Sequence, residues 1–198
     1  MRKRPIQLEF PPRGRGGRRP GAGRPGGDRI THHGRPKLPS PLPVHVSFHV
    51  LDDLPNLRRK DIFRAIRGSI HDRKQLEGFR ITHWSVQSNH GHLLVEADDQ
   101  VTLSHAMQCL NTSIAKRLNR RAARHGPVLD DRYYEHPLRT PREVRNAIIY
   151  VVRNRQHHTG IPGMDFCSSE CHPWAVAEPR TWLLAVGWRG GERRAGSG

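Results

Sequence analysis

Two histidines one residue apart, His90 and His92, lie in the run Ser88-Asn89-His90-Gly91-His92-Leu93-Leu94-Val95-Glu96, and Tyr150 follows in Asn146-Ala147-Ile148-Ile149-Tyr150-Val151-Val152-Arg153-Asn154. If His90-Gly91-His92 is extended, the period of two puts both imidazoles on one face of a sheet, where they converge on a point that a divalent ion could occupy. If the segment around Tyr150 is helical, Asn154 stands one turn further along the same face. Two neutral imidazoles and a side-chain carbonyl make a mixed nitrogen and oxygen donor set that suits Mg²⁺ or Mn²⁺. Such an ion polarises a phosphate while a phenolate attacks it. A phenol in water ionises only near about pH 10, so neighbouring arginines and the metal field would have to assist.

The surrounding pattern supplies elements that can hold these groups. Val44, Val46, Phe48 and Val50 alternate with His45, Ser47 and His49, the signature of a half-buried strand; His45 and His49 share a face and could join a site, but read first as exposed sheet histidines. After the turn Leu54-Pro55-Asn56, the spacing of Ile62, Phe63, Ile66 and Ile70 predicts a helix to about residue 75. Phe79 to Val86 and His90 to Val95 read as strands around the turn Gln87-Ser88-Asn89. A long helix follows, with Leu103, Met107, Leu110, Ile114 and Leu118 as its apolar stripe and Gly126 as its stop. Asp131 to Leu138 is a further strand, with Tyr133 and Tyr134 either stacking on bases or packing in the sheet. The last core helix opens at Thr140-Pro141-Arg142-Glu143, where Thr140 caps, Pro141 suits the first turn and Glu143 meets the positive helix end. Its stripe is Val144, Ala147, Ile148, Val151 and Val152; Tyr150 lies roughly 130° from the stripe centre, beside Asn146, Arg153, Asn154 and His157. The order strand, helix, strand, strand, helix, strand, helix is that of an α+β sandwich with an antiparallel sheet.

A chain of 198 residues suits one core with tails, and 34% hydrophobic content beside 19 glycines and 16 prolines places part of it outside that core. The net charge of +16 makes a polyanion, nucleic acid first, the leading partner. Residues 1–42 read as a disordered basic arm, in which Gly23-Arg24-Pro25 and Gly34-Arg35-Pro36 resemble the core of minor-groove AT-hook segments. Arg117, Arg120 and Arg121 on the long helix, and Arg153 near Tyr150, are further candidates for phosphate contacts. No apolar run approaches the ~18 residues of a membrane span, and no apolar stretch follows the charged start as in a signal peptide. A cytoplasmic, nucleoid-associated protein is expected. Three cysteines make no disulfide framework, and Cys167-Ser168-Ser169-Glu170-Cys171-His172 lacks a fourth partner for a metal site. Residues 43–160 are expected to form the catalytic domain and 161–198 an extension, disordered over its last residues, whose Trp174, Trp182, Leu183, Leu184, Val186 and Trp188 dock on the core or on a partner.

The run Trp84-Ser85-Val86-Gln87-Ser88-Asn89-His90-Gly91-His92-Leu93-Leu94-Val95-Glu96-Ala97, then Asp131-Arg132-Tyr133, then Tyr150-Val151-Val152-Arg153-Asn154 resembles the single-tyrosine HUH transposases, above all the REP-associated tyrosine transposases and their chromosomal relatives. The resemblance spans about residues 42 to 160. It implies a ferredoxin-like antiparallel sheet of the HUH endonuclease type. His90 and His92 would be the histidine pair, Tyr150 the nucleophile and Asn154 the third ligand. The implied reaction nicks single-stranded or hairpin DNA, leaves a 5′-phosphotyrosine adduct and a free 3′-hydroxyl, and reverses to join strands during transposition; relatives form dimers. The alternative within the same fold is a domesticated, noncatalytic DNA-binding protein. One position departs from the family, which usually has a bulky apolar residue between the histidines where this chain has Gly91. Such a glycine is expected to loosen the strand.

Overall fold

The computed structural model describes residues 37–38, 42–153 and 163–189, all within the unit Gly34–Gly198. Among the described residues five strands form one antiparallel sheet: β1 (Pro43–His49), β2 (Gln75–Leu76), β3 (Phe79–Val86), β4 (His90–Ala97) and β5 (Tyr134–Pro137), in the order β2-β3-β4-β1-β5. Helices α1 (Lys60–Arg73), α2 (Gln100–Arg121), α3 (Pro141–Val152) and the short α4 (Trp182–Ala185) accompany it. The expected α+β architecture with an antiparallel sheet is therefore present.

Strand alternation divides the side chains between two layers. Val44, Val46 and Phe48 of β1, with Leu93 and Val95 of β4, share the main core with the apolar stripes of α1 and α2. Leu94 points the other way and packs with Leu138 and with Val144, Ile148 and Val151 of α3. Since side chains two apart share a face, His90 and His92 lie with Leu94 on the α3 side of β4. The hydrophobic stripe of α3, by seating that helix over the sheet, decides what covers the histidines.

Local chemistry sets most boundaries where the sequence pattern puts them, with three differences. The helix expected to run to Gly126 ends at Arg121, and the chain turns through Ala123 at φ 49° before Gly126 at φ 103°. The strand expected over residues 131–138 is confined to Tyr134–Pro137. The two-residue β2 was too short to give a periodic signal; it returns into β3 through Gly78, whose φ of 68° favours a residue without Cβ.

The segment after α3 docks on the core. Cys167 and Ala175 are buried in the main core and Leu184 in the α3 layer. Its backbone continues along the edge of β3 beyond β2: Ala177 N–H donates to Ile81 O at 2.8 Å and Val86 N–H to Cys167 O at 2.8 Å. Arg58 anchors it through paired hydrogen bonds to buried Asp165 and a third to Val86 O at 2.9 Å. Buried Glu96 accepts from the backbone N–H groups of Arg180 and Thr181, each at 2.8 Å, fixing the start of α4. A sheet edge that would otherwise present unpaired backbone groups is thus covered by the chain itself. Leu38, upstream of β1, is also buried in the main core.

Candidate active site

β4 is the central strand of the histidine face. Across it, His90 stands opposite His49 of β1, and His92 between Ser47 of β1 and Ser85 of β3. The imidazoles of His90 and His92 meet edge to face with centroids 4.9 Å apart, as alternation on one face requires. His92 is buried, and Tyr150 reaches it from α3, with its hydroxyl 3.5 Å from His92 Nε2 and ring centroids 5.1 Å apart. Residues 58 positions apart in the chain are thereby brought to one point.

Tyr150 gets there because α3 begins at a fixed residue and rolls on a fixed stripe. Thr140 Oγ1 accepts from Glu143 N–H at 3.2 Å, Glu143 Oε2 accepts from Arg139 N–H at 2.6 Å, and Pro141 fills the first turn. Val144, Ile148 and Val151 are buried, with Ala147 and Val152 packed beside them. Tyr150, off that stripe, remains 37% exposed.

His45 is the residue that sequence reasoning misplaced. Read as an exposed sheet histidine over the alternative of joining a site, it is half-buried, its Nε2 lies 3.2 Å from His92 Nδ1, and its ring stacks on that of His92 with centroids 5.2 Å apart. Burial, with neighbouring His136 on β5 as the smaller cause, lowers its pKa to about 4, so it is a neutral imidazole at neutral pH. The signal for it was the register of β1 against β4, which makes His45 a diagonal neighbour of His92 and which local periodicity does not reveal. His49, by contrast, is exposed as expected and stacks on His90 with centroids 5.0 Å apart.

The donor chemistry fits a divalent cation. Asn89 Oδ1 can only accept, so at 2.9 Å it takes the Nδ1 proton of His90 and makes Nε2 the lone-pair nitrogen of that ring. For His92, Nδ1 is engaged by His45 and Nε2 faces the phenol. Among the described residues no group of three or more His, Cys, Asp or Glu side chains is arranged to hold a metal, and the third donor of the expected set is not among them. Asn154, expected in that role, lies outside the described residues, as do Arg24 and Arg35. Cys109, Cys167 and Cys171 form no disulfide with one another.

The arginines of α2 do not gather at this site. Arg117 is ion-paired with Asp72 of α1, while Arg120 and Arg121 are exposed at the end of a helix that packs on the opposite face of the sheet from the histidines. Arg153, exposed at the C-cap of α3, remains near Tyr150 in the chain.

Gly91 has a specific neighbour. It stands directly opposite Phe48 of β1 on the main-core face, and a Cβ built on it would come within 2.5 Å of Cζ of the Phe48 ring. The volume that a bulky residue between the histidines would occupy is filled by that ring, which is 1% exposed, and β4 runs unbroken from His90 to Ala97.

Residues 52–136 match the IS200-like transposase family. The transposase match takes in β4 and both histidines, ends within β5, and stops short of Tyr150. It bears out the family resemblance carried by the motifs. A solved structure of a REP-associated tyrosine transposase bound to a REP hairpin is similar with a TM-score of 0.52 and 16% identity, over 67% of this chain and 76% of that one. That likeness shows a shared transposase fold. A crystal structure of a candidate transposase from Deinococcus radiodurans R1 is similar at 16% identity with a TM-score of 0.42, over 55% of this chain and 87% of that one. No curated protein matches the chain. No helix among the described residues is long and apolar enough to cross a membrane.

Proposed function

We propose that this chain cuts and rejoins single-stranded or hairpin DNA, with Tyr150 as the nucleophile. The observation that carries the reading is the approach of the Tyr150 hydroxyl to His92 Nε2 at 3.5 Å, beside the His90 ring. That distance is long for a hydrogen bond, so the pair reads as two donors facing one point rather than a closed contact. Tyr150 loses its proton to solvent on its exposed side and its oxygen attacks the scissile phosphorus; the Tyr150 O–P bond forms, the P–O3′ bond breaks, and the 3′-oxygen takes up a proton. Attack of that 3′-hydroxyl on the phosphotyrosine reverses the step and joins strands.

His90 and His92, with Asn154, would hold Mg²⁺ or Mn²⁺, which when bound supplies Lewis-acid polarisation of the phosphate. His45 acts behind His92: with the His92 Nδ1–H donating to His45 Nε2, the lone pair of His92 sits on Nε2, directed at the reaction. The net charge of +16 supports a DNA substrate, and the fold relative solved with a REP hairpin supports a structured one. Activity on chromosomal DNA in the cytoplasm belongs to the same reading.

A labelled set of hairpin and single-stranded oligonucleotides tests it. The expected result is a denaturation-resistant protein–DNA band that requires Mg²⁺ or Mn²⁺, disappears with EDTA and is lost in Tyr150→Phe. A band that survives in Tyr150→Phe contradicts the assignment of the nucleophile. DNA binding without any band, unchanged in the His90→Ala, His92→Ala double variant, would instead identify a noncatalytic binding protein.

A further inference from the structure

On the opposite layer from the histidines, the segment after α3 meets α1 in a patch of aromatic rings and cations. Phe166 is 60% exposed and Trp174 is 48% exposed. The two belong to one surface, because both lie edge-on to the same His172 ring, with centroids 5.2 Å and 5.7 Å away. His172 in turn stacks parallel on buried Trp84, 5.8 Å between centroids and 4° between planes. Phe166 also packs on Phe63 of α1 at 5.8 Å. The exposed rings are therefore seated on the core and not loose on a flexible tail.

Cations surround them. The Arg67 guanidinium lies 5.1 Å from the Trp174 ring centroid, Lys74 Nζ donates to Trp174 O at 2.6 Å, and His71 meets the Trp174 ring at 5.1 Å. α1 and its C-cap carry Lys60, Arg64, Arg67, Arg73 and Lys74, while the two acidic residues of the helix, Asp61 and Asp72, are paired with Arg59 and Arg117. Isolated surface aromatics need no explanation, but two large adjoining rings beside a run of cations, with Glu170 the one acidic residue between them in the chain, do.

We propose that Phe166 and Trp174 form a base-stacking platform for single-stranded DNA, with the α1 cations following the phosphates. Rigid aromatic faces interleaved with positive charge are what unpaired nucleotides recognise, because every base has a π-face and every linkage a negative charge. A second copy of this chain would bring like charges together at the same surface, which disfavours self-association there. The platform gives the proposed nuclease a hold on unpaired DNA remote from the cut, and it rests on that reading only for the choice of DNA.

The test uses the full chain in EDTA, with fluorescein-labelled (dT)20 and the same oligonucleotide carrying 5-iododeoxyuridine. The Phe166→Ala, Trp174→Ala double variant is expected to bind (dT)20 about tenfold or more weakly. Trp174→Phe, which keeps a ring, should lose less, and photocrosslinks in the parent chain should map to Phe166 or Trp174. Unchanged affinity in the double variant, or crosslinks confined to other peptides, would overturn the platform. So would self-association of the parent that the double variant abolishes while its DNA affinity stays intact. The two readings separate when the crosslinking is repeated with Mn²⁺ in place of EDTA on a hairpin oligonucleotide carrying an iodinated single-stranded extension: crosslinks at the platform with no tyrosine adduct remove the nuclease alone, and an adduct without platform crosslinks removes the platform alone.

Discussion

At the scale of single residues, the site depends on a trade between two strands. Gly91 separates the two histidines, and the ring of Phe48 fills the space above it. Placing a side chain at 91 forces that ring against its core neighbours, and overpacking of this kind costs about 1–3 kcal/mol. Gly91→Val should lower stability by that amount in chemical denaturation, and Phe48→Leu in the same chain should recover part of it, a coupling that the two single variants read separately would not show. Strict additivity would mean the ring and the glycine are not complementary. The histidine pair itself was legible in the sequence because alternation is local. His45 was not, since its burial depends on a partner strand more than forty residues away.

At the scale of elements, α3 carries the nucleophile, and its position follows from its first turn. The cap at Thr140, the proline after it and the apolar stripe were all readable, because each acts within one or two turns. Thr140→Ala should remove about 1 kcal/mol of stability and fray the helix start. Since Tyr150 lies in the last turn of α3, the stripe and not the cap holds it against His92, and adduct formation should fall only a few-fold while amide exchange rises in the first turn. Loss of all activity in Thr140→Ala would mean that Tyr150 is placed by the cap. The closure of the β3 edge by residues 165–177 was not legible. It is made by backbone hydrogen bonds and by the Arg58–Asp165 pair, and neither leaves a hydrophobic period in the sequence.

At the scale of the whole molecule, the sheet separates two chemistries: histidines and Tyr150 on the α3 side, aromatic rings and cations on the α1 side. Buried imidazoles also tie stability to pH. Burial lowers His83 to about 4, so the folded protein keeps it neutral where the unfolded chain, titrating near 6.5, takes up a proton. Its stabilising contribution is complete above about pH 6.5 and is lost progressively as pH falls toward 4, up to about 3 kcal/mol. His83→Leu should flatten the fall in unfolding free energy between pH 7 and pH 4.5; an unchanged slope would show that His83 contributes nothing to it.

The central claim is that Tyr150, assembled beside His92, becomes covalently linked to DNA. Its most direct measurement is mass spectrometry of the protein–DNA adduct formed with a hairpin oligonucleotide and Mn²⁺ or Mg²⁺, after digestion of both partners. The account predicts a phosphonucleotide on the peptide that contains Tyr150, attached through the phenolic oxygen. A phosphonucleotide on Tyr133, Tyr134 or any other residue would contradict it.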